Sequence, residues 1–404
     1  MIEYIGSNGL VKIFTDTVEE TAMTQIVELS NSPLAEGAQV RIMPDVHAGA
    51  GSTIGTTIKL PEDRTEWRVS PNIVGVDIGC GMTSLKLQNF DMDLAEFDKI
   101  VNEAVPSGTT VHEKAVGSLS AEERELLKTL RTGEHDTEWI ERSIGTMGGG
   151  NHFIELGLGR DGMYWLTVHS GSRKLGVEVA RKFQKRAEVE VRQRNNSEVI
   201  QKLKAEGRER EIESELKRIN AEERPKVRKE LSYLTGDSLL EYLKAMDIAQ
   251  KYATKNRAAM LNAIVQKAGL VVMDKIDSIH NYIDIDNGII RKGATSARRG
   301  ESLLIPINMK DGMIIAKGLG NPDWNFSAPH GAGRILKRST AKDVVDLDEY
   351  VAIMEGVYSS SIGEATKDES PFAYKSIEDI TKHIGDTVEI MDVVKPVYNF
   401  KANS

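Results

Sequence analysis

Cysteine is almost missing from this 404-residue chain: Cys80 is the only one. A lone thiol excludes an internal disulfide and a four-cysteine zinc knot. No secretory leader is expected either, because Met1-Ile2-Glu3-Tyr4-Ile5-Gly6 shows neither a basic nor an apolar segment. No stretch approaches the roughly 18 apolar residues of a membrane span. These absences predict a soluble protein of a reducing compartment, with no membrane partner and a cytoplasmic location. Positive charge is not in excess either. The formal net charge of −9 argues against a basic coat that grips nucleic acid without specificity, and leaves room for a local basic groove. No internal repeat or low-complexity linker divides the chain.

What the chain does have is glycine, 35 residues clustered in loops, and eight histidines. Residues 1–60 read as short strands and turns. A strand is predicted from Val69 into the loop ending at Met82. Helices are predicted over Leu94–Val105 and Ala121–Arg131. Strands are predicted after the loop Gly148-Gly149-Gly150-Asn151 and over Met163–His169. From Val177 to about Lys229, Lys, Arg and Glu alternate densely, and Gly207 and Pro225 are the only glycine and proline. That pattern predicts a hairpin of solvated helices, a structural arm rather than an RNA-binding one. An amphipathic helix is expected over Asp237–Ala268. Strands and glycine turns return over 270–340, and the rest alternates helix and strand. The whole suits one large mixed α/β (α+β) domain carrying a helical insertion.

Cys80 sits in Gly75-Val76-Asp77-Ile78-Gly79-Cys80-Gly81-Met82. The glycines allow tight turns, so Asp77 and Cys80 can face one point. A thiolate and a carboxylate together suit a metal. A small buried hydrophobe is the other reading. Five histidines, His47, His152, His169, His280 and His330, each end an apolar stretch and precede small residues. A rigid scaffold presents side chains into a cleft from such positions. His112, His135 and His383 lie in polar surroundings. With Asp45, Asp77 and Cys80 there are enough nitrogen, oxygen and sulfur ligands for two metals. Softness favours Zn²⁺ for a thiolate with imidazoles, and Mn²⁺ also fits through the carboxylate. His330 precedes Gly331-Ala332-Gly333, whose N–H groups are open to an anion, with Arg334 and Arg338 close behind. It reads as a nucleophile toward phosphorus or as a helix start that caps itself. Arg173, Lys174, Arg291, Lys292, Arg298 and Arg299 occupy similar glycine turns and together would line a phosphate track.

These residues resemble the RtcB RNA ligases. The resemblance rests on Met43-Pro44-Asp45-Val46-His47, the Gly75–Met82 loop, Gly150-Asn151-His152-Phe153-Ile154-Glu155 and His169-Ser170-Gly171-Ser172-Arg173. It continues through His280-Asn281, Arg291-Lys292-Gly293-Ala294, His330-Gly331-Ala332-Gly333-Arg334 and Ala373-Tyr374-Lys375, in the family's order over about 330 residues. It implies one ligase domain over 1–404, with a central β-sandwich-like core surrounded by helices and a charged helical-hairpin insertion at 178–232. It implies an enzyme that joins RNA 3′-phosphate or 2′,3′-cyclic phosphate ends to 5′-hydroxyl ends, in RNA splicing or repair, using GTP and two Mn²⁺ ions. An activating protein partner would be compatible with it.

Carried over residue by residue, Asp77, Cys80 and His152 would hold one metal, and Cys80, His169 and His280 the second. His330 would become guanylylated. Asn151, His152, Phe153, Ile154, Glu155, His280, Asn281, Pro306, Ile307, Asn308, Met309, Met313, His330, Gly331, Ala332, Gly333 and Lys401 would form the nucleotide pocket. Two departures fall there. Ile307-Asn308 replaces the family's common Gly-Ser, and Met313 stands where a serine is common. The alternatives are a dinuclear cyclic phosphodiesterase that does not ligate, and an RNA-end-binding protein. The first would need the metal ligands without His330; the second would need neither.

Overall fold

The computed structural model describes residues 1–131, 133–221 and 227–402. Pro225, which the sequence reading placed in the charged stretch, lies outside them. The chain opens with β1 (Ile2–Gly6), β2 (Gly9–Ile13), α1 (Glu20–Ser30), β3 (Gln39–His47) and β4 (Ile54–Lys59). Next come β5 (Gly81–Leu87), α2 (Leu94–Ala104), α3 (Ala121–Leu130), α4 (Glu134–Arg142), β6 (Phe153–Leu158) and β7 (Tyr164–Ser170). The helices α5 (Arg173–Ala205), α6 (Ile212–Ala221) and α7 (Gly236–Ala268) follow. Then come β8 (Val272–Ile279), β9 (Asn281–Asp284), β10 (Ile289–Lys292), β11 (Ala294–Ser296), β12 (Ser302–Asn308), β13 (Gly312–Gly318) and β14 (Ser327–Pro329). The last elements are α8 (Arg338–Val344), α9 (Leu347–Ile353), α10 (Ile377–Ile384) and β15 (Val388–Lys401).

The class is mixed α/β, as expected. Six strands run in the order β1-β2-β3-β4-β10-β9, and seven run antiparallel as β12-β13-β15-β6-β7-β5-β8. The two-stranded β11-β14 ribbon stands beside them. The seven-stranded sheet curls until β8 lies against β12 without pairing. The expected sandwich-like core is therefore a half-barrel next to a second sheet. Met82, Trp165, Leu304, Met313 and Ile315 cluster on one side of this sheet. On the other, Leu85, Ile154, Leu156 and Val168 bury against Phe97 and Val101 of α2 and Met260 and Ile264 of α7. Alternation along each strand puts every second side chain into one of these layers.

Three sequence readings change. Val69–Cys80 is not a strand: Pro71 starts a single 3₁₀ turn, a glycine loop follows, and β5 begins only at Gly81. Pro fixes φ and donates no ladder bond, which suits a turn start. Helices α1 and α4 were not anticipated. In α1 the buried Ala22, Ile26 and Leu29 hold helical spacing within a region dominated by strand signals. In α4 only Ile140 is buried, so periodicity carried no signal. Finally, α5 is solvated only in part. It starts at Arg173, and Leu175, Val179, Ala180, Phe183 and Ala187 are buried before the charged arm departs. Among the described residues no helix is long and apolar enough to cross a membrane.

Candidate functional site

Antiparallel pairing brings five strand ends to one rim of the curled sheet. Lys401 pairs with Phe153, Phe153 with His169, Met82 with His169, and Gly81 with both Ser170 and Ile279. The residues just beyond or at those ends are His152, His169, Cys80 and His280. The β11-β14 ribbon pairs Ala294 with Pro329 and delivers His330 to the same place. Sequence separations of up to about 250 residues thus collapse into one cluster by strand register.

Cys80 is buried, with Sγ 3.3 Å from His169 Nε2 and 3.5 Å from His152 Nε2. His169 Nε2 lies 3.2 Å from His280 Nε2, and His152 Nε2 lies 3.0 Å from Asp77 Oδ2. Main-chain carbonyls set the ring hydrogens. His152 Nδ1 is 2.8 Å from the Met147 oxygen, and His169 Nδ1 is 3.2 Å from that of Asn151. A carbonyl only accepts, so each Nδ1 donates and each Nε2 of a neutral ring keeps a lone pair. Burial holds His169 and His280 well below the usual imidazole range, so these rings are neutral. The lone pairs of His152 and His169, the Cys80 thiol and the Asp77 carboxylate therefore converge, with only the thiol hydrogen and one ring hydrogen of His280 to share among them. A cation relieves that arrangement, and outer carbonyls that fix the tautomer are a usual feature of metal-binding histidines. The residues fall into two groups of three, Asp77–Cys80–His152 and Cys80–His169–His280, which share Cys80.

The electrostatics agree. Burial works against Asp77, but His152, Cys80 and Arg173 bring its carboxyl down to about 2. Burial, then the Asp77 charge, pushes the Cys80 thiol up; a bound divalent ion reverses that and deprotonates a coordinating thiol. The loop has no space to spare. A Cβ at Gly171 would occupy the position of the Asp77 carboxylate, whose Oδ1 accepts from the Ser172 N–H at 2.9 Å.

His330 sits beside the ligands, its ring centroid 4.7 Å from that of His280. Asp45, fully buried, accepts from His330 Nδ1 at 2.7 Å and from the His330 main-chain N–H at 3.1 Å. Asp45 was read as a candidate ligand; the structure makes it the anchor of His330 instead. A carboxylate on Nδ1 fixes the ring and leaves Nε2 as the nitrogen open to a ligand.

A cleft of about 550 Å³ runs over these groups. Asn151, Phe153, Glu155, His280, Asn281, Pro306 to Met309, His330 to Gly333 and Lys401 line it. His152 lies behind, with the ligands. Ile154 and Met313 do not reach the cleft. Both are buried in the apolar layers of the sheet, because their strand positions point them there. Asn308 lines the cleft, yet its oxygen accepts from the Lys310 and Asp311 N–H groups and its amide donates to Asp311. Its polar atoms close the β12–β13 turn and are not free for a ligand. At the far end, Lys401 pairs with Glu369 at 2.6 Å and Asn399 donates to Glu155 at 2.8 Å, all four side chains being buried. Burial raises the Glu155 carboxyl to about 7, against the pull of Asn399 and Lys401. Glu369 and Asn399 carried no sequence signal, since neither belongs to a spaced motif.

Of the six residues expected to line a phosphate track, Arg299 is exposed and the other five are paired within the fold. Arg291 is spent on Ser327, Tyr282 and the Phe326 carbonyl, and Lys292 on the carbonyls of Ala50 and Asn72. Arg173, in a left-handed conformation at φ 53°, donates to Thr146 and Gly108. Lys174 pairs with Asp136, and Arg298 with Asp284. Next to His330, Arg334 and Arg338 line the cleft and are paired to Asp368 and Glu369. Buried donors take partners inside the fold before they face solvent.

A half-barrel whose rim gathers thiol, imidazole and carboxylate groups, with a carboxylate-held histidine at their side, defines a class of protein with a site able to hold metal beside an oriented imidazole. Comparison with known proteins makes this specific. The family model described as tRNA-splicing ligase RtcB matches residues 25–402. The chain is 30% identical to "RNA-splicing ligase RtcB" of Escherichia coli K12, over 96% of this chain and 97% of the relative. It is 24% identical to "tRNA-splicing ligase RtcB" of Pyrobaculum aerophilum, over 84% and 82%. It is 26% identical to "RNA-splicing ligase RtcB2" of Escherichia coli ATCC 25922, over 90% and 87%. The chain belongs to the RtcB family.

Proposed function

We propose that this protein is an RNA ligase that joins 3′-phosphate or 2′,3′-cyclic phosphate ends to 5′-hydroxyl ends, in RNA splicing or repair, with GTP as the activating substrate and Mn²⁺ as the metal. What supports this reading above all is the Asp45–His330 pair, 2.7 Å apart and next to His280. A metal-only phosphodiesterase leaves that pair without a task. Two ions would be held, one by Asp77, Cys80 and His152, the other by Cys80, His169 and His280. They would supply charge neutralisation at the phosphate oxygens and an activated water for the cyclic phosphate.

His330 Nε2 attacks the α-phosphorus of GTP, pyrophosphate leaves, and GMP stays on the imidazole. Asp45 holds the ring and stabilises the charge that develops on it. The RNA 3′-phosphate then takes GMP from His330, which gives the phosphate a leaving group it lacks as a monoester. The 5′-hydroxyl displaces GMP and the strands are joined. Glu155, Asn399 and Lys401 would receive the guanine end, while Ile307 and Asn308 shape the wall. The machinery would form a single cytoplasmic ligase domain, with residues 178–232 as a charged helical insertion. An activating protein partner would act on this same machinery.

The test uses α-labelled GTP with the Mn²⁺-loaded protein. The expected result is a covalent, acid-labile label that is absent from His330→Ala. A folded, metal-loaded wild type that takes no label sinks the reading.

A further inference from the structure

His47 lines the same cleft but belongs to neither ligand group and is not the residue that Asp45's carboxylate holds. It closes β3, two residues after Asp45. Its Nδ1 is 2.9 Å from the Asp45 main-chain oxygen. That oxygen only accepts, so Nδ1 carries the hydrogen and Nε2 keeps its lone pair. Among the described residues nothing hydrogen-bonds to Nε2. Asp45 thus registers two imidazoles at once, His330 through its carboxylate and His47 through its carbonyl. The first is a charge-stabilised nucleophile. The second has only a neutral dipole behind it, which suits a ring that takes a proton and gives it up again.

The charged groups that weigh most on His47 are His330, Asp45 and Lys375, and the Glu19 carboxylate accepts from the N–H of the next residue, Ala48, at 2.7 Å. Burial lowers its proton affinity, and His330 and Lys375 add to that, against the Asp45 carbonyl and carboxylate. The ring is therefore a free base at neutral pH.

The chemistry selects the step. His330 attacks through a lone pair and releases no proton, and the RNA 3′-phosphate is already an anion when it takes GMP. The 5′-hydroxyl is different: its O–H must be broken as it bonds to phosphorus. We propose that His47 is the general base of that joining step. The inference rests on the ligase reading above. The 5′-oxygen bonds to the phosphorus of the activated 3′ end, the bond from that phosphorus to GMP breaks, and GMP leaves with the electron pair. The hydroxyl proton passes to His47 Nε2 and then to solvent.

The test uses the full chain loaded with Mn²⁺, as wild type, His47→Ala and His47→Gln. GMP labelling is measured first. Joining is then measured in single turnover from an RNA whose 3′ end already carries the guanylyl group, mixed with a 5′-hydroxyl RNA, from about pH 4.5 to 9, which spans the lowered titration of His47. The expected result is undiminished labelling, joining slowed by about 10²- to 10⁴-fold, activated ends that accumulate, and loss of the acid limb of the pH profile. Added imidazole restores part of the rate in His47→Ala. Joining at the wild-type rate with an unchanged profile overturns the proposal. Loss of the label in both variants also overturns it, and assigns His47 to positioning His330 through Asp45. A wild type that neither labels nor joins overturns the ligase reading itself, a distinct outcome.

Discussion

The outer half of α5 with α6, and the rim that carries Cys80, are both dense in ionisable side chains. Their physics is opposite. On the arm, Lys217–Glu213 and Arg218–Glu215 pair along α6 and Arg208–Glu211 in the turn before it, all in open solvent, with side chains from about a third to four-fifths exposed. Water screens such pairs, and each holds little. At the rim, Cys80, His169 and His280 are at most 3% exposed, and their Sγ and Nε2 atoms lie against one another or against a neighbouring ligand. The same residue types serve as solvation in one region and as a preorganised site in the other. Burial, not composition, separates the two roles.

The comparison breaks most sharply at Cys80. Cys80→Ala removes the atom common to both ligand groups. We expect loss of bound metal, seen by elemental analysis, and a fall in ligation beyond the roughly 100-fold typical of losing an outer partner of a metal site. Retained ligation with a full metal load would contradict the bridging role.

A smaller effect is expected one layer out. Arg257 is fully buried on α7 and donates to the main-chain oxygens of Gly79 at 2.8 Å and Ser170 at 3.0 Å, with Thr83 at 3.1 Å. It thereby ties the Cys80 loop to the end of β7 that bears His169. Arg257→Met keeps the bulk and strands those carbonyls. The expected cost is about 2–4 kcal/mol in denaturant unfolding, with metal affinity falling about 10- to 100-fold. Stability lost without any change in metal affinity would make Arg257 a packing residue only.

Much of the site was legible in the sequence, for a physical reason. Asp77 and Cys80 sit in a glycine-rich loop, and His152, His169 and His280 lie at or next to strand ends, and those signals are local. Asp45 was visible as a residue but not as the partner of His330, because that bond spans 285 residues and is set by sheet register. Glu369 and Asn399 were hidden for the same reason. The phosphate track failed because a list of basic residues does not show which carbonyls and carboxylates will claim them. Met313 and Ile154 were carried into the pocket by motif position, whereas strand alternation turns them into apolar layers. The fold class followed from mixed helix and strand signals. The curl of the seven-stranded sheet did not, since closure depends on pairing among strands far apart in the chain.

The smallest effect belongs to the arm and sharpens the comparison from its other side. Lys217 and Glu213 are 2.7 Å apart at i,i+4, with side chains 76% and 83% exposed. Lys217→Ala removes this pair, but alanine favours helix slightly more than lysine, and salt already weakens the attraction. The two changes oppose each other, so Tm should move by less than about 1 °C. A structural arm also predicts an unchanged KM for RNA at low and moderate salt. A several-fold rise in KM at low salt, fading as salt is added, would place RNA phosphates on the arm, and its charges would then count as part of the site rather than as solvation.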